Sequence, residues 1–286
     1  MKRITVTLFL ALVTVYAVNA QEFTSKKGTP ILPEKGDYAL SIDAVPFFVY
    51  IGNMFHGTNQ TAAPTFDFPG LGNVPMWTLQ VKKFISPKMA LRARIRLGFT
   101  SQTYKNTIYD QTDTTMKTFV DDKWRESKMN IVLGAGIERR LGKGRVQGLY
   151  GAMANLMVGT VGHSYIYGNN MTGTFTTPLS TEWNPDGSVY DATYLSVRDT
   201  KNNDGMTFGF GVNGFVGVEY FFAPKMSIGG EFTWGVMFQV TGKNKIENEK
   251  MVGSDKVVTT TKRDGAFFFG MDNSNSGGAI NLSFYF

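Results

Sequence analysis

The chain has 286 residues, of which 42% are hydrophobic and 14% aromatic, and its 32 glycines together with the aromatic content favour strands and turns over helices. It contains no cysteine, which excludes disulfides, thiolate metal sites and thiol nucleophiles. The formal net charge is +6, but lysines and arginines form no long run, so we predict no nucleic-acid partner.

The first residues have the composition of a secretory signal peptide. Lys2 and Arg3 precede the apolar run Ile4–Val18, which is shorter than a comfortable bilayer span, and small residues end the segment at Ala20. We therefore predict a signal peptide at residues 1–20, with a membrane-anchor helix as the alternative. No other apolar run of that length follows, so any further membrane span would use strands.

Alternating apolar and polar residues, which indicate β-strands, recur through the rest of the sequence. The pattern is clearest at residues 91–100, where apolar residues alternate with Arg92, Arg94 and Arg96. In chain order, the predicted strands are centred on residues 38–50, 77–82, 91–100, 128–138, 147–159, 207–219, 228–240 and 278–286. The first of these contains Pro46, which indicates a bulge or an edge position.

Short and long connections alternate between these strands. Two short ones share the sequence Phe-x-x-Pro-Lys-Met, and proline belongs in a turn because it lacks an N–H and has a fixed φ. We predict tight turns at 85–89, 139–145 and 221–226, and long polar connections at 53–76, 101–127, 163–205 and 242–265. This alternation is typical of a barrel threaded through an outer membrane, with short periplasmic turns and longer outside loops.

The pattern resembles the small eight-stranded outer-membrane barrels of the OmpA/OmpX type, found in Gram-negative bacteria, over residues 38–286. The sequence thus predicts an all-β fold, an eight-stranded antiparallel up-and-down transmembrane β-barrel in the bacterial outer membrane, preceded by a short periplasmic lead at residues 21–37. The resemblance implies contact with outer-membrane lipid including lipopolysaccharide. It also implies recognition of the C-terminal strand, ending at Phe286, by the barrel-assembly machinery. The chain departs from full-length OmpA in that we expect no peptidoglycan-binding domain and no anchoring to the cell wall.

A water-soluble, lipocalin-like barrel is the alternative fold. Its apolar residues would face the interior and its arginines the solvent, whereas in a membrane barrel the apolar residues face lipid and the arginines face the lumen. The membrane interpretation therefore requires Leu91, Ile95, Phe232 and Trp234 to point outward, with Arg92 and its neighbours inside.

Several charged residues that the alternation places on the lumen side of their strands lie at similar distances from the predicted tight turns. Because the interior of an eight-stranded barrel is only just wide enough for side chains, charges buried there must pair. We predict an ion-pair network of Lys82, Arg92, Arg94, Arg96, Glu138, Glu219 and Glu231, with Asp43 and Asn130 as further candidates. The network either packs the interior or lines a narrow, gated passage for small ions.

The sequence offers little for catalysis or metal binding. The chain has two histidines, His56 and His163, and His163 followed by Ser164 at a strand end would suit a dyad at the outer rim of a barrel enzyme. No nucleophile-elbow motif frames either histidine, so we predict no enzyme, no cofactor and no metal.

Aromatic residues cluster where the predicted strands end. Such clusters are typical of the girdles that membrane barrels place at the lipid–water interfaces. The predicted girdle residues are Phe47, Phe48, Tyr50, Phe221, Phe222, Phe267, Phe268, Phe269, Phe284 and Tyr285.

These features together favour a structural or surface-interaction role. The protein would stabilise the envelope, present the connections at 163–205 and 242–265 to an outside partner, or form a subunit of a larger envelope complex. A narrow pore and a lipid-modifying or proteolytic rim enzyme are the alternative functions.

Overall fold

The structure, a computed structural model, describes residues 24–25, 28–43, 76–272 and 278–286. Several predicted features lie outside the described residues: the signal peptide, Pro46, the girdle residues Phe47, Phe48 and Tyr50, His56, and most of the connection at 53–76. None of the described residues belongs to a helix long and apolar enough to cross a membrane.

The described chain consists of β-strands and their connections. The strands are β1 (Tyr38–Asp43), β2 (Met76–Ser86), β3 (Met89–Tyr109), β4 (Phe119–Leu141), β5 (Val146–Ile166), β6 (Leu179–Trp183), β7 (Val189–Tyr194), β8 (Val197–Ala223), β9 (Met226–Thr241), β10 (Asn244–Val252), β11 (Asp255–Arg263), β12 (Ala266–Asp272) and β13 (Gly278–Tyr285).

Antiparallel pairing closes the main sheet into a ring. The ring runs from β1 through β2, β3, β4, β5, β8 and β9 to β13, and β13 pairs with β1. β12 pairs with the second half of β9 and β13 with the first half, so the two share one position in the ring. The ring therefore has eight positions, which confirms the predicted antiparallel barrel.

The outer face of the ring is apolar and the inner face is polar. Leu97, Phe232 and Trp234 are 48%, 47% and 47% exposed, whereas Arg92 and Arg96, on the opposite face of β3, are 2% and 5% exposed. This burial pattern confirms the orientation of a membrane barrel and contradicts the lipocalin-like alternative. We call the outward residues the apolar belt; they include Leu91, Leu97, Phe99, Leu133, Ile137, Leu156, Phe208, Phe210, Val216, Phe232, Trp234, Phe238, Val240 and Phe267.

The two ends of the barrel differ in their connections. The turns β2–β3, β4–β5 and β8–β9 lie at one end, which we call the turn end, and the longer connections lie at the other, the loop end. Each strand continues into the predicted turn: β4 extends to Leu141 and β8 to Ala223. The predicted turns at 139–145 and 221–226 were therefore too long, because strand pairing continues where hydropathy no longer alternates clearly.

At the loop end, the strands extend far beyond the apolar belt. β3 and β4 stay paired up to Tyr109 and Phe119, so most of the predicted connection at 101–127 is strand. β8 has 27 residues, although about 9–11 suffice to cross a bilayer. The prediction was wrong because both faces of these extensions are polar: the hydropathy period disappears, whereas the backbone pairing persists.

Three predicted girdle residues lie on the inner face: Phe268, which pairs with the inward Gln239, and the buried Phe221 and Tyr285. Phe221 is 0% exposed and Tyr285 is 5% exposed, while their neighbours Phe222 and Phe284 point outward. Successive side chains of a strand point to opposite faces, so only one member of each adjacent pair can reach lipid. Phe221 and Tyr285 instead contribute to the interior of the turn end.

Candidate functional site

The lumen at the turn end contains a buried ion-pair network centred on Glu138. The Oε2 atom of Glu138 lies 3.0 Å from Lys82 Nζ and 3.5 Å from Arg92 Nη1, and its Oε1 atom lies 2.8 Å from Arg140 Nε. β2, β3 and β4 each contribute to these contacts through side chains that point into the lumen. One carboxylate thus contacts three cations inside a space closed to solvent.

Arg92 extends the network across the barrel to β9. Its Nη2 atom lies 2.7 Å from Oε1 of Glu231 and donates to Oε1 of Gln80 at 2.6 Å. Arg94 Nη2 lies 3.7 Å from the other carboxylate oxygen of Glu231 and 3.1 Å from Gln80 Oε1. The Arg92 guanidinium also sits 4.0 Å from the centre of the Phe215 ring. These contacts pair both guanidinium charges within the protein.

Arg140 joins Glu219 to the same network. Arg140 Nη2 lies 2.6 Å from Glu219 Oε2 and donates to the Tyr285 hydroxyl at 2.8 Å. The Tyr285 hydroxyl and the Ser227 hydroxyl both donate to Oε1 of Glu219. β4, β8, β9 and β13 are therefore linked through one carboxylate.

The structure places the predicted network residues as follows. Lys82, Arg92, Arg94, Glu138 and Glu231 are linked directly, and Glu219 is linked through Arg140. Arg96 and Asn130 are buried on the same inner face, further from the turn end. The Asp43 side chain lies outside the described residues.

Arg140 and Tyr285 were missed because the sequence assigned Arg140 to a turn and Tyr285 to the lipid interface. The sequence feature that could have identified them is the alternation of side chains between the two faces of a strand. Arg140 follows Glu138 by two positions and Tyr285 follows Ser283 by two, and residues two apart share a face of a strand.

An apolar cluster closes the turn end below the network. Ile31 is 1% exposed and packs with Phe84, Phe221 and Tyr285. The segment at 28–37 is held there because Lys225 N donates to Ile31 O at 3.2 Å and Gly36 N donates to Phe84 O at 2.8 Å. Part of the predicted periplasmic lead thus plugs the barrel mouth.

The middle of the lumen is filled by apolar side chains. Leu149, Met153 and Phe215 form one buried cluster, and Val132 packs with Met157 in another. The Phe215 ring needs a glycine opposite it: a Cβ at Gly151 would lie 2.6 Å from Phe215 Cζ. These apolar side chains fill part of the lumen at this depth, beside the buried Arg96 and Asn130.

The segment at 167–196, which contains β6 and β7, covers the loop end. Its anchor is Asp122 of β4, whose buried carboxylate accepts hydrogen bonds from Gly168 N and Thr181 N, both at 2.7 Å. Asn106 of β3 donates to the Thr181 hydroxyl at 3.1 Å. The anchor was not visible in the sequence because the two carboxylate bonds join residues about 45–60 positions apart in a polar loop.

A second contact holds the same segment against β8 and β10. Arg198 Nε lies 2.7 Å from Glu249 Oε1, and Arg198 Nη1 donates to the Ser180 hydroxyl at 2.8 Å. The guanidinium lies 4.2 Å from the centre of the Tyr167 ring. Burial raises the pKa of Tyr167 well above its usual range, so its hydroxyl stays protonated and donates to Asp199 O.

His163 does not form a rim dyad with Ser164. The two are consecutive in β5 and point to opposite faces of the strand. His163 Nε2 lies 3.2 Å from Glu126 Oε1, and its ring stacks on the buried Trp124 at 5.1 Å between centroids. The alternative of a His163–Ser164 dyad is therefore not supported, because a regular strand cannot bring adjacent side chains together.

Comparisons with known proteins give matches of low similarity. A major outer membrane protein from Thermus thermophilus aligns with 88% of this chain and 100% of its own, at 11% identity and a TM-score of 0.39. The outer membrane protein OprG from Pseudomonas aeruginosa aligns with 90% of this chain and 98% of its own, at 10% identity and a TM-score of 0.30. No protein-family model and no curated protein matches the sequence. The fold assignment therefore relies on the strand ring and its burial pattern.

Replacing Glu138 by glutamine should destabilise the barrel by about 3–5 kcal/mol, because three buried cations lose their shared carboxylate. The matched control is Glu247→Gln, which removes a carboxylate whose partners Lys201 and Lys245 are exposed. The control should cost far less, because an ion pair between exposed side chains contributes little to stability. Urea unfolding in detergent micelles measures both, and equal losses would contradict a network that stabilises the lumen.

Asp122→Ala should release the segment at 167–196 from the loop end, because two backbone amides lose a charged acceptor worth about 1.5–3 kcal/mol each. We expect chymotrypsin to cut this segment at least about tenfold faster in the variant than in the wild type. Asp121→Ala is the control, since Asp121 is exposed and bonds only to the Thr107 hydroxyl among its described contacts. Equal cleavage of both variants would refute the anchor.

Proposed function

We propose that the protein is a bacterial outer-membrane β-barrel with a structural or surface-interaction role, and that its lumen does not conduct. The membrane placement is supported by the apolar belt and by ring closure. In hydrocarbon every backbone N–H and C=O must be paired within the protein, and a closed ring meets that demand. The predicted signal peptide agrees with export. The turn end then faces the periplasm and the loop end the exterior.

The observation that carries the non-conducting role is the filling of the lumen by the ion-pair network. Lys82, Arg92 and Glu138 have side chains no more than 2% exposed, and they bind one another rather than lining a gap. The cluster around Ile31 closes the turn-end side of them, and Phe215 packs directly against the Arg92 guanidinium. A permeating ion would have to break buried pairs, each of which is costly to separate.

The surface available for interaction is the extension beyond the apolar belt. β10 and β11 form a ribbon there, and all nine residues of β11 are exposed. We propose that an extracellular or envelope partner binds this extension, while lipopolysaccharide surrounds the barrel and the barrel-assembly machinery reads the last strand. The protein needs no cofactor for such roles. The absence of enzymatic turnover is likewise proposed, and the separation of His163 from Ser164 supports it.

Planar-bilayer recording tests the non-conducting lumen against the pore alternative. The wild-type protein, inserted in a defined orientation, should show no steady stepwise conductance. Steady conductance that Arg94→Ala or Glu231→Ala abolishes or alters, and that the lipid-facing Leu97→Ala leaves unchanged, would establish the pore instead.

A further inference from the structure

Cations cluster on the outer face of β3 and β4, beyond the apolar belt. The apolar belt on that face ends at Phe99 opposite Met129, and one exposed aromatic pair, Tyr109 opposite Phe119, follows at the far ends of the two strands. Further towards the loop end, the same face carries Lys105, Lys123 and Arg125. Their inward neighbours Tyr104, Asp122 and Trp124 contact the interior, and this fixes the outward direction of the three cations.

Two of these cations face each other directly. Lys105 is the cross-strand partner of Lys123, an arrangement that is destabilising because like charges repel at this distance. Within the described residues, neither lysine nor Arg125 forms a salt bridge; Arg125 Nε donates to the Thr103 hydroxyl at 3.2 Å. Asp121, on the same face, accepts from the Thr107 hydroxyl. The patch thus has an excess of positive charge that an external anion would offset.

A second lysine pair occurs further along the same arc of the sheet, after β5 and β8. Lys245 of β10 lies directly opposite Lys262 of β11, beyond the last apolar pair Val240–Phe267. Lys201 of β8 lies between the two pairs and is exposed. Lys245 shares Glu247 with Lys201, whereas Lys262 has no salt bridge among the described residues. We call Lys105, Lys123, Arg125, Lys201, Lys245 and Lys262 the basic belt.

The members of the basic belt lie at one height. Lys105 follows Phe99 by six positions, Lys245 follows Val240 by five, and Arg125 precedes Met129 by four. At about 3.3 Å per residue and a strand tilt of about 40°, these offsets place the cations about 10–15 Å beyond the apolar belt. Long basic side chains reach back towards the interface, so their charges meet the lipid head-group layer.

This geometry favours lipid over a protein as the occupant. The basic belt follows β3, β4, β8, β10 and β11 along one arc of the sheet, at a common height beyond the apolar belt. The head groups of the surrounding lipid lie at that height, so lipid phosphate is the anion that every member of the belt can reach. Resting on the outer-membrane placement proposed above, we propose that the basic belt binds the phosphate groups of outer-leaflet glycolipids, with Lys105, Lys123 and Arg125 as its principal site. The Arg125 guanidinium suits a bidentate contact with a phosphate group. The two lysines add positive point charges, and a bound phosphate would offset the repulsion between them.

The test measures the affinity of the folded, detergent-solubilised protein for purified lipopolysaccharide and for the same lipopolysaccharide after its phosphates are removed. The test variant combines Lys105→Gln, Lys123→Gln and Arg125→Gln. The control combines Lys88→Gln, Lys143→Gln and Arg145→Gln, which removes the same charge from exposed residues at the turn end.

We expect the test variant to bind lipopolysaccharide on the order of a hundredfold more weakly than the wild type, at about fivefold for each cation lost. The control variant should lose no more than about threefold, since its charges lie well beyond the screening length from the site. Dephosphorylated lipopolysaccharide should bind the wild type as weakly as intact lipopolysaccharide binds the test variant. Unchanged affinity in the test variant, equal losses in the two variants, or equal binding of both lipids would each overturn the proposal.

A single substitution separates lipid binding from a purely structural role. Lys105→Glu should raise the urea midpoint in phosphatidylcholine vesicles, because it replaces a repulsion with an attraction to Lys123, and it should nevertheless weaken lipopolysaccharide binding. A rise in both quantities, or a fall in both, would contradict the proposal. Flotation of the proteins with the vesicles is measured in parallel. A wild type that fails to insert refutes the outer-membrane placement, whereas insertion without phosphate preference refutes the basic belt alone.

Discussion

Hydrocarbon provides neither hydrogen bonds nor counter-ions, and every feature of this barrel follows from that constraint. Backbone groups in lipid must pair within the protein, so the sheet closes from β13 onto β1. Side chains in contact with lipid must be apolar, so the charges of each strand are confined to the inner face. Charges confined to a narrow lumen must then pair with one another, because an unpaired buried charge is far costlier than a pair.

The interior contains a buried ion-pair network that links the strands. Glu138 and Glu219 join β2, β3, β4, β8, β9 and β13 through a few cations and one tyrosine. An apolar cluster around Ile31 closes the network at the turn end, and Asp122 holds a loop segment over the far mouth. Under the proposed non-conducting role, the surfaces available for recognition are the strand extensions and the outer face near the head groups.

Much of the ring and part of the network follow from period-two patterning alone. The alternation around Arg92 predicts a strand and which of its residues face the lumen. It also predicts that the charges of this strand are buried together with Glu138 and Glu231. Where the pattern weakens, the sequence becomes ambiguous: the extension of β3 to Tyr109 is polar on both faces, and Arg140 lies in what reads as a turn. Tertiary contacts such as Asp122 to Gly168 depend on how a loop folds back, and no local pattern encodes that.

Fluorescence quenching by lipids brominated along their acyl chains tests the central claim that the apolar face meets hydrocarbon. The chain has four tryptophans. Two single-tryptophan variants are compared in vesicles, one retaining Trp234 on the outer face and one retaining the buried Trp124. The account predicts strong quenching of Trp234 and little quenching of Trp124 when brominated lipid replaces ordinary lipid. Quenching of Trp124 with Trp234 unaffected would contradict the inside-out assignment.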